Sequence, residues 1–247
     1  MKVFNRAAVV FWSLMMTSSA FAQNANLPGV SVNFGQGTNL VDTMEVLLLF
    51  TVLTLAPAII ILCTSFTRIV VVLSFMRQAL GTQNMPPNQL LIGFSLFLSI
   101  FVMMPTGQSI YKNTIQPYQA KQIDATQALQ GLETDLRAFM EKHVRKADIG
   151  LFYDVTNAAA PDDIKSVPTH YLIPAFIISE LKTAFQIGFL LYIPFIVLDM
   201  VVASVLMAMG MMMLPPMLVS MPFKLLLFVL VDGWQLVTGA ILRSFNT

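Results

Sequence analysis

A methionine-rich segment, residues 207–216, carries the most distinctive side-chain chemistry in this 247-residue chain. Its sequence, MAMGMMMLPP, sets five methionines around one glycine and ends with two prolines. Methionine is unbranched and polarizable, so a ring of such side chains could close around irregular shapes and reopen without breaking hydrogen bonds. The same residues could instead fill gaps in a hydrophobic core, and composition alone leaves both interpretations open.

Charged residues interrupt the apolar segments at six positions, namely Arg68, Glu180, Lys182, Asp199, Lys224 and Asp232. A charge at the centre of a membrane helix costs about 2.5 to 3.5 kcal/mol, so such residues usually face protein or water. Glu180 and Lys182 are two positions apart and therefore lie on different faces of a helix. We expect most of the six charges to pair between hairpins or between subunits. Pairs that only hold an assembly together and a proton or ion relay are both compatible with this pattern.

Motifs for catalysis are missing from the sequence. His143 and His170 occur without an HExxH pattern or a neighbouring cysteine, so no metal site is predicted. The sequence has no GxSxG and no glycine followed by lysine, which excludes a serine-hydrolase elbow and a Walker A loop. Cys63 is the single cysteine, so no disulfide can form within the chain. We therefore expect no enzyme activity and no cofactor.

The composition is that of a membrane or membrane-assembly protein. Hydrophobic residues make up 56% of the chain and charged residues 11%, and the mean hydropathy is +0.73. Soluble domains carry about 25% charged residues. The net charge of +1 provides no basic surface for nucleic acid, so no nucleic-acid partner is expected.

The first 22 residues have the features of a cleaved signal peptide. Lys2 and Arg6 precede an apolar core at residues 7–16, and Ala20-Phe21-Ala22 forms a small-x-small cleavage site. An uncleaved anchor is the alternative, but ten residues reach only about 15 Å as a helix, half of the hydrocarbon thickness. Residues 23–43 are then expected to form a periplasmic leader.

The remaining pattern predicts an all-α fold of membrane-associated helical hairpins with proline-pair turns. Residues 44–105 form the first hairpin, with a turn at Pro86-Pro87, and its second arm, residues 90–104, is expected to stop before Pro105. Residues 171–242 form the second hairpin, with kinks at Pro174 and Pro194 and a turn at Pro215-Pro216. Residues 217–242 are expected to be its second arm, and residues 243–247 a C-terminal tail.

A small soluble helical domain is predicted at residues 106–170. An amphipathic helix is expected from about Ala125 to Lys146, because apolar side chains recur there at helical spacing: Leu129, Leu132, Leu136, Phe139, Met140 and Val144. Residues 148–167, with Pro161, are expected to be a loop. The connection at residues 64–89 carries arginines and no acid, which places both proline-pair turns in the cytoplasm and the soluble domain in the periplasm.

Three blocks of this sequence closely resemble the FliP family of flagellar type III secretion export-gate proteins. They are TSFTRIVVVLSFMRQALGTQNMPPNQLLIGFSLFLSIFVMMP (64–105), IPAFIISELKTAFQIGFLLYIPFIVLDMVVASVLMAMGMMMLPP (173–216) and MPFKLLLFVLVDGW (221–234). The resemblance implies a core subunit of the gate through which unfolded flagellar subunits are exported. It also implies a helical assembly of five copies with the partners FliQ, FliR, FlhB and FlhA, in the bacterial inner membrane and the flagellar basal body.

The same resemblance implies roles for particular residues. A methionine gasket at the constriction falls on Met209, Met211, Met212 and Met213, next to Met207. Gly210, Pro215 and Pro216 would form its hinge, since glycine lets the loop bend and proline fixes where the next arm begins. An ion-coupled small-solute transporter remains the alternative, because intramembrane charges and proline breaks are also typical of that class. A membrane-embedded enzyme would need a nucleophile or metal set that the sequence does not offer.

Overall fold

The computed structural model describes residues 40–82, 85–159, 161, 163–211 and 213–246. The predicted signal peptide (1–22), most of the predicted leader and Met212 lie outside the described residues. The chain divides into two compact units, Met1–Leu55 and Ala56–Thr247. The described part of the first unit is helical, and all the packing described below lies within the second.

The described residues form helices and contain no strand, which confirms the predicted all-α class. In chain order the α-helices are α1 (Leu40–Leu62), α2 (Phe66–Leu80), α3 (Asn88–Ile110), α4 (Gln116–Gln119), α5 (Ala125–His143), α6 (Lys146–Thr156), α7 (Thr169–Ala208), α8 (Pro216–Leu230) and α9 (Gly233–Arg243). A π-helical turn, Tyr111–Ile115, joins α3 to α4, and a 3₁₀ turn, Ile164–Ser166, precedes α7.

The core lies where α2 packs along α7. The completely buried side chains include Ile69, Val72, Leu73 and Met76 on α2 and Leu172, Ala175 and Phe176 on α7. Gly188 lets the two helices approach closely, since a Cβ at this position would lie 2.8 Å from Cγ of Phe75. Helices α5, α6, α8 and α9 also pack on α7, so this 40-residue helix connects most of the described elements of the unit.

The prediction that the second arm of the first hairpin stops at Pro105 is wrong. Helix α3 continues through Pro105 to Ile110, and the helical segment Asn88–Gln119 is 32 residues long. Pro105 is exposed, so its ring displaces no packed side chain and its missing N–H removes only one helical hydrogen bond. This segment and Thr169–Ala208 are long and apolar enough to cross a membrane.

The prediction of a loop at residues 148–167 is also wrong over its first half. Helix α6 occupies Lys146–Thr156, and Ile149 and Tyr153, one turn apart, bury one of its faces. The preceding helix ends at His143 rather than Lys146, and Leu129 is exposed although its spacing placed it on the buried face. The start of α5 is fixed by a capping box between Asp124 and Gln127.

The last apolar segment is two helices and not one. Helices α8 and α9 are bent by 67° at a break around Asp232, which has a positive φ of 50°. Gly233 makes the bend possible, because its missing Cβ leaves room for the ring of Phe228. Trp234 then packs edge to face on Phe228, with ring centroids 5.6 Å apart. In contrast, α7 continues as helix through Pro174 and Pro194.

Candidate functional site: a methionine turn and buried ion pairs

The methionine-rich segment is a turn between α7 and α8 whose backbone is held by a Schellman motif. The N–H of Gly210 donates to the carbonyl of Met207 at 3.0 Å, and the N–H of Met211 donates to that of Leu206 at 2.9 Å. Gly210 has φ +74°, a conformation that residues with a Cβ rarely adopt. It therefore ends α7 at a defined residue.

Two prolines fix the other side of this turn. Pro215 is extended, with φ −67° and ψ 118°, and Pro216 is the first residue of α8. Proline suits the first position of a helix, because its ring presets φ and the missing N–H would have no partner there. The glycine and the proline pair thus restrict the turn at both ends.

The methionine side chains of the turn are exposed in the single chain. The exposed fraction is 62% for Met207, 67% for Met209, 39% for Met211 and 99% for Met213. These side chains therefore do not fill the core of the described structure. A thioether surface of this kind is adaptable and suits contact with other molecules.

The two proline-pair turns lie on the same side of the unit. A Cβ on Gly81, which ends α2, would lie 3.8 Å from Cγ of Met217 on α8. In addition, Nζ of Lys224 donates to the carbonyl oxygen of Ala79 at 3.2 Å. The end of the first hairpin arm is thereby attached to the helix that leaves the methionine turn.

Arg68 and Glu180 form a buried ion pair between the two hairpins. Nε of Arg68 donates to Oε2 of Glu180 at 2.9 Å, and Nη2 donates to Oε1. The remaining Nη1 donates to the carbonyl of Ser244 at 2.7 Å and to its Oγ at 3.0 Å. The guanidinium carbon also lies 3.9 Å from the ring centroid of Phe245. The two charged groups therefore satisfy each other's hydrogen-bonding capacity. The remaining Arg68 contacts hold the C-terminal segment, Ser244 and Phe245, against α2.

Asp199 and Lys224 form a second ion pair, within the second hairpin. Nζ of Lys224 donates to Oδ2 of Asp199 at 2.6 Å, and Oγ of Ser220 donates to the other carboxylate oxygen. Lys224 is almost fully buried, whereas the side chain of Asp199 is 28% exposed. The hairpin is closed by this polar cluster close to the methionine turn.

Lys182 and Asp232 are not brought together with any of the other four charges. Both are exposed, and among the described residues neither has an opposite charge within ion-pair distance. Sequence reasoning also missed Ser220 and Ser244, whose hydroxyls complete the two buried clusters. For Ser220, the only signal in the sequence was its position one helical turn before Lys224.

Metal or redox chemistry has no support in the described part of the chain. No group of three or more His, Cys, Asp or Glu side chains there could hold a metal ion. His143 instead contacts backbone carbonyls, with Nδ1 at 2.8 Å from the oxygen of Phe139 and Nε2 at 3.3 Å from that of Phe245. Cys63 is buried as a free thiol.

The fold and the site together define a helical-hairpin protein with an exposed methionine turn and with two helices that are apolar and long enough to cross a membrane. A family model described as the FliP family matches residues 49–241. The chain is 53% identical over 207 residues to the flagellar biosynthetic protein FliP of Bacillus subtilis (strain 168), covering 84% of this chain and 94% of that relative. It is 44% identical over 237 residues to the protein of that name from Aquifex aeolicus (strain VF5), covering 95% and 98%. The chain belongs to the FliP family.

Proposed function

We propose that this chain is a core subunit of the flagellar protein export gate and that its methionine turn seals the export channel. Membership of the FliP family supports a role in flagellum biogenesis and protein export. Five copies, together with FliQ and FliR, would form the channel, and FlhB and FlhA would be further partners. The substrates would be unfolded flagellar subunits.

The observation that carries the proposal is the exposure of the methionines on a turn with a fixed backbone. In a single copy these side chains are exposed, from 39% for Met211 to 99% for Met213. Several copies arranged around one axis would bring them together into a hydrophobic constriction. Such a constriction blocks ions by dewetting, and thioethers can repack around the varied side chains of a passing polypeptide. Gly210, Pro215 and Pro216 would keep the turns in register.

The location follows from the same proposal. The apolar segments Asn88–Gln119 and Thr169–Ala208 suit the bacterial inner membrane, within the flagellar basal body. Residues 106–170 would lie in the periplasm and the two proline-pair turns toward the cytoplasm. This orientation can be checked by labelling Met85→Cys, at an exposed turn position, and Val155→Cys, exposed on α6, with an impermeant maleimide in intact spheroplasts.

The test of the seal is ion leak through the assembled complex in liposomes. We expect replacing Met211 and Met213 with serine to raise the leak severalfold, because short polar side chains no longer exclude water from the constriction. The matched control is Met200→Ser, since Met200 is a methionine on α7 away from the turn and its exposed fraction of 67% lies between those of Met211 and Met213. Equal leak from both variants would contradict the proposal.

The same liposomes separate the gate from an ion-coupled small-solute transporter. A gate subunit reconstituted without partners should drive no solute accumulation under an ion gradient. Gradient-driven uptake by the single purified chain would instead establish the transporter.

A further inference from the structure

Two of the six charges in the apolar segments have no ion-pair partner among the described residues of their own chain, and they have opposite signs. Lys182 is on α7 among the exposed aromatic residues Phe185 and Phe189. Asp232 is at the bend between α8 and α9, next to the exposed residues Leu230 and Val231. Each charge thus has exposed apolar neighbours, although Asp232 also lines an open cleft together with Gln235 and Arg243. The other four charges are paired inside the chain.

Both charges lie in the same direction from the Asp199–Lys224 pair. Lys182 is 17 residues before Asp199 on α7, which is about 25 Å along the helix. Asp232 is eight residues after Lys224, about 12 Å along the antiparallel arm. Within one chain the two positions are therefore offset by roughly 13 Å along the hairpin, and in the structure they do not meet.

We infer that Lys182 of one copy pairs with Asp232 of the neighbouring copy in the assembled gate. This inference rests on the proposed function, because it requires several copies side by side. The occupant is a second copy because the two exposed charges are complementary, so each copy can supply one half of the contact to each of its neighbours. The two residues belong to different elements, so the contact is head to tail and repeats from copy to copy.

The offset adds a geometric consequence. A lysine side chain spans only part of the roughly 13 Å that separates the two positions along the hairpin. Each copy must therefore be shifted along the axis relative to the one before it. Such a shift agrees with the helical assembly that the resemblance to the FliP family implies.

The inference is tested by cross-linking in the full export-gate complex. Lys182→Cys and Asp232→Cys are introduced singly and together in a Cys63→Ala background, and a short bis-maleimide is added. A bis-maleimide is preferred because a lysine–aspartate pair separates the two Cα atoms by more than a disulfide tolerates. The double variant is expected to give a ladder of dimers, trimers and higher species. Each single variant alone gives none, and the two single variants expressed together give dimers only.

Charge reversal provides the second measurement. Lys182→Glu and Asp232→Lys are each expected to reduce the amount of assembled complex on a native gel severalfold, and the double reversal to restore it. Lys112→Glu is the matched control, because Lys112 is also exposed and has no carboxylate within ion-pair distance among the described residues. It is expected to leave assembly unchanged.

The outcomes separate the two proposals. An intact complex in which the double cysteine variant gives no ladder, or is linked to a different protein, overturns the Lys182–Asp232 contact and leaves the proposed function standing. Dimers alone from the double variant overturn the head-to-tail arrangement. Absence of any multi-copy complex from the unmodified chain with its partners overturns the proposed function itself.

Discussion

The guanidinium of Arg68 holds the carboxylate of Glu180 across the two hairpins with two parallel hydrogen bonds, and both side chains are almost completely buried. The residues are 112 positions apart in the sequence. A buried charge that loses its partner is strongly destabilising, whereas in an intact pair each charge compensates the desolvation cost of the other. We therefore expect this pair to favour the one arrangement of the two hairpins in which both charges are paired.

Replacing Glu180 with alanine should destabilise the chain by about 3 to 5 kcal/mol, because it leaves the Arg68 guanidinium buried without its counter-ion. Unfolding by denaturant in detergent measures the change. Lys182→Ala, two positions away but exposed, is the control and should stay within about 0.5 kcal/mol in the isolated chain. A Glu180→Ala variant as stable as this control would show that the pair does not hold the hairpins together.

The Asp199–Lys224 pair should respond asymmetrically to truncation. Asp199→Ala removes the counter-ion of a lysine that is only 2% exposed, so we expect a loss near 3 kcal/mol. Lys224→Met leaves a carboxylate that is 28% exposed and still bonded to Ser220, so the loss should be about 1 kcal/mol. Denaturant unfolding of the two variants under the same conditions compares the losses. Equal losses of unfolding free energy would mean that the burial of Lys224 does not determine the cost of breaking the pair.

Gly210→Ala should destabilise the methionine turn by about 1 to 2 kcal/mol, because alanine at φ +74° carries the strain of the left-handed region. Gly239→Ala is the control: Gly239 is inside α9 with open space around its Cβ position, so alanine there should stabilise by about 0.5 to 1 kcal/mol. Thermal unfolding should therefore shift in opposite directions for the two variants. A Gly210→Asn variant should lose less, since asparagine tolerates this conformation.

Gly233→Ala should destabilise the bend between α8 and α9 by about 1 to 3 kcal/mol, because the added Cβ would lie 2.2 Å from the ring of Phe228. The double variant Gly233→Ala with Phe228→Leu tests the cause. If crowding between the alanine Cβ and the Phe228 ring is responsible, Phe228→Leu should lower the unfolding free energy less in the Gly233→Ala background than in the unmodified chain. Strictly additive losses would point to a different origin of the bend.

The two proline-pair turns of this chain were readable from its sequence. Proline acts within a few residues, so Pro86-Pro87 and Pro215-Pro216 mark turns that the structure also has, with α3 and α8 beginning directly after or within them. The lengths of the apolar segments and the helical spacing of apolar side chains were likewise sufficient for the all-α class. Pro105 was misleading because the effect of a proline depends on what surrounds its ring, and that depends on tertiary packing.

The pairing of the charges was not readable in the same way. Which residue meets Arg68 is decided by the packing of α2 on α7, and no local pattern connects positions 68 and 180. Helix α6 was missed for a related reason, since Ile149 and Tyr153 supply only one short apolar stripe that becomes helical by packing against α7. The exposure of the methionines required the structure, because methionine is equally at home in a core.

The length of α7 limits where its functional groups can lie in a bilayer. About 43 Å of helix separates Glu180 from Met209, whereas the hydrocarbon layer is only about 30 Å thick. Fitting both inside it would require a tilt of roughly 45°, which exceeds the range found for membrane helices. At least one of the two, the ionic clasp or the thioether bend, must therefore stand clear of the acyl chains.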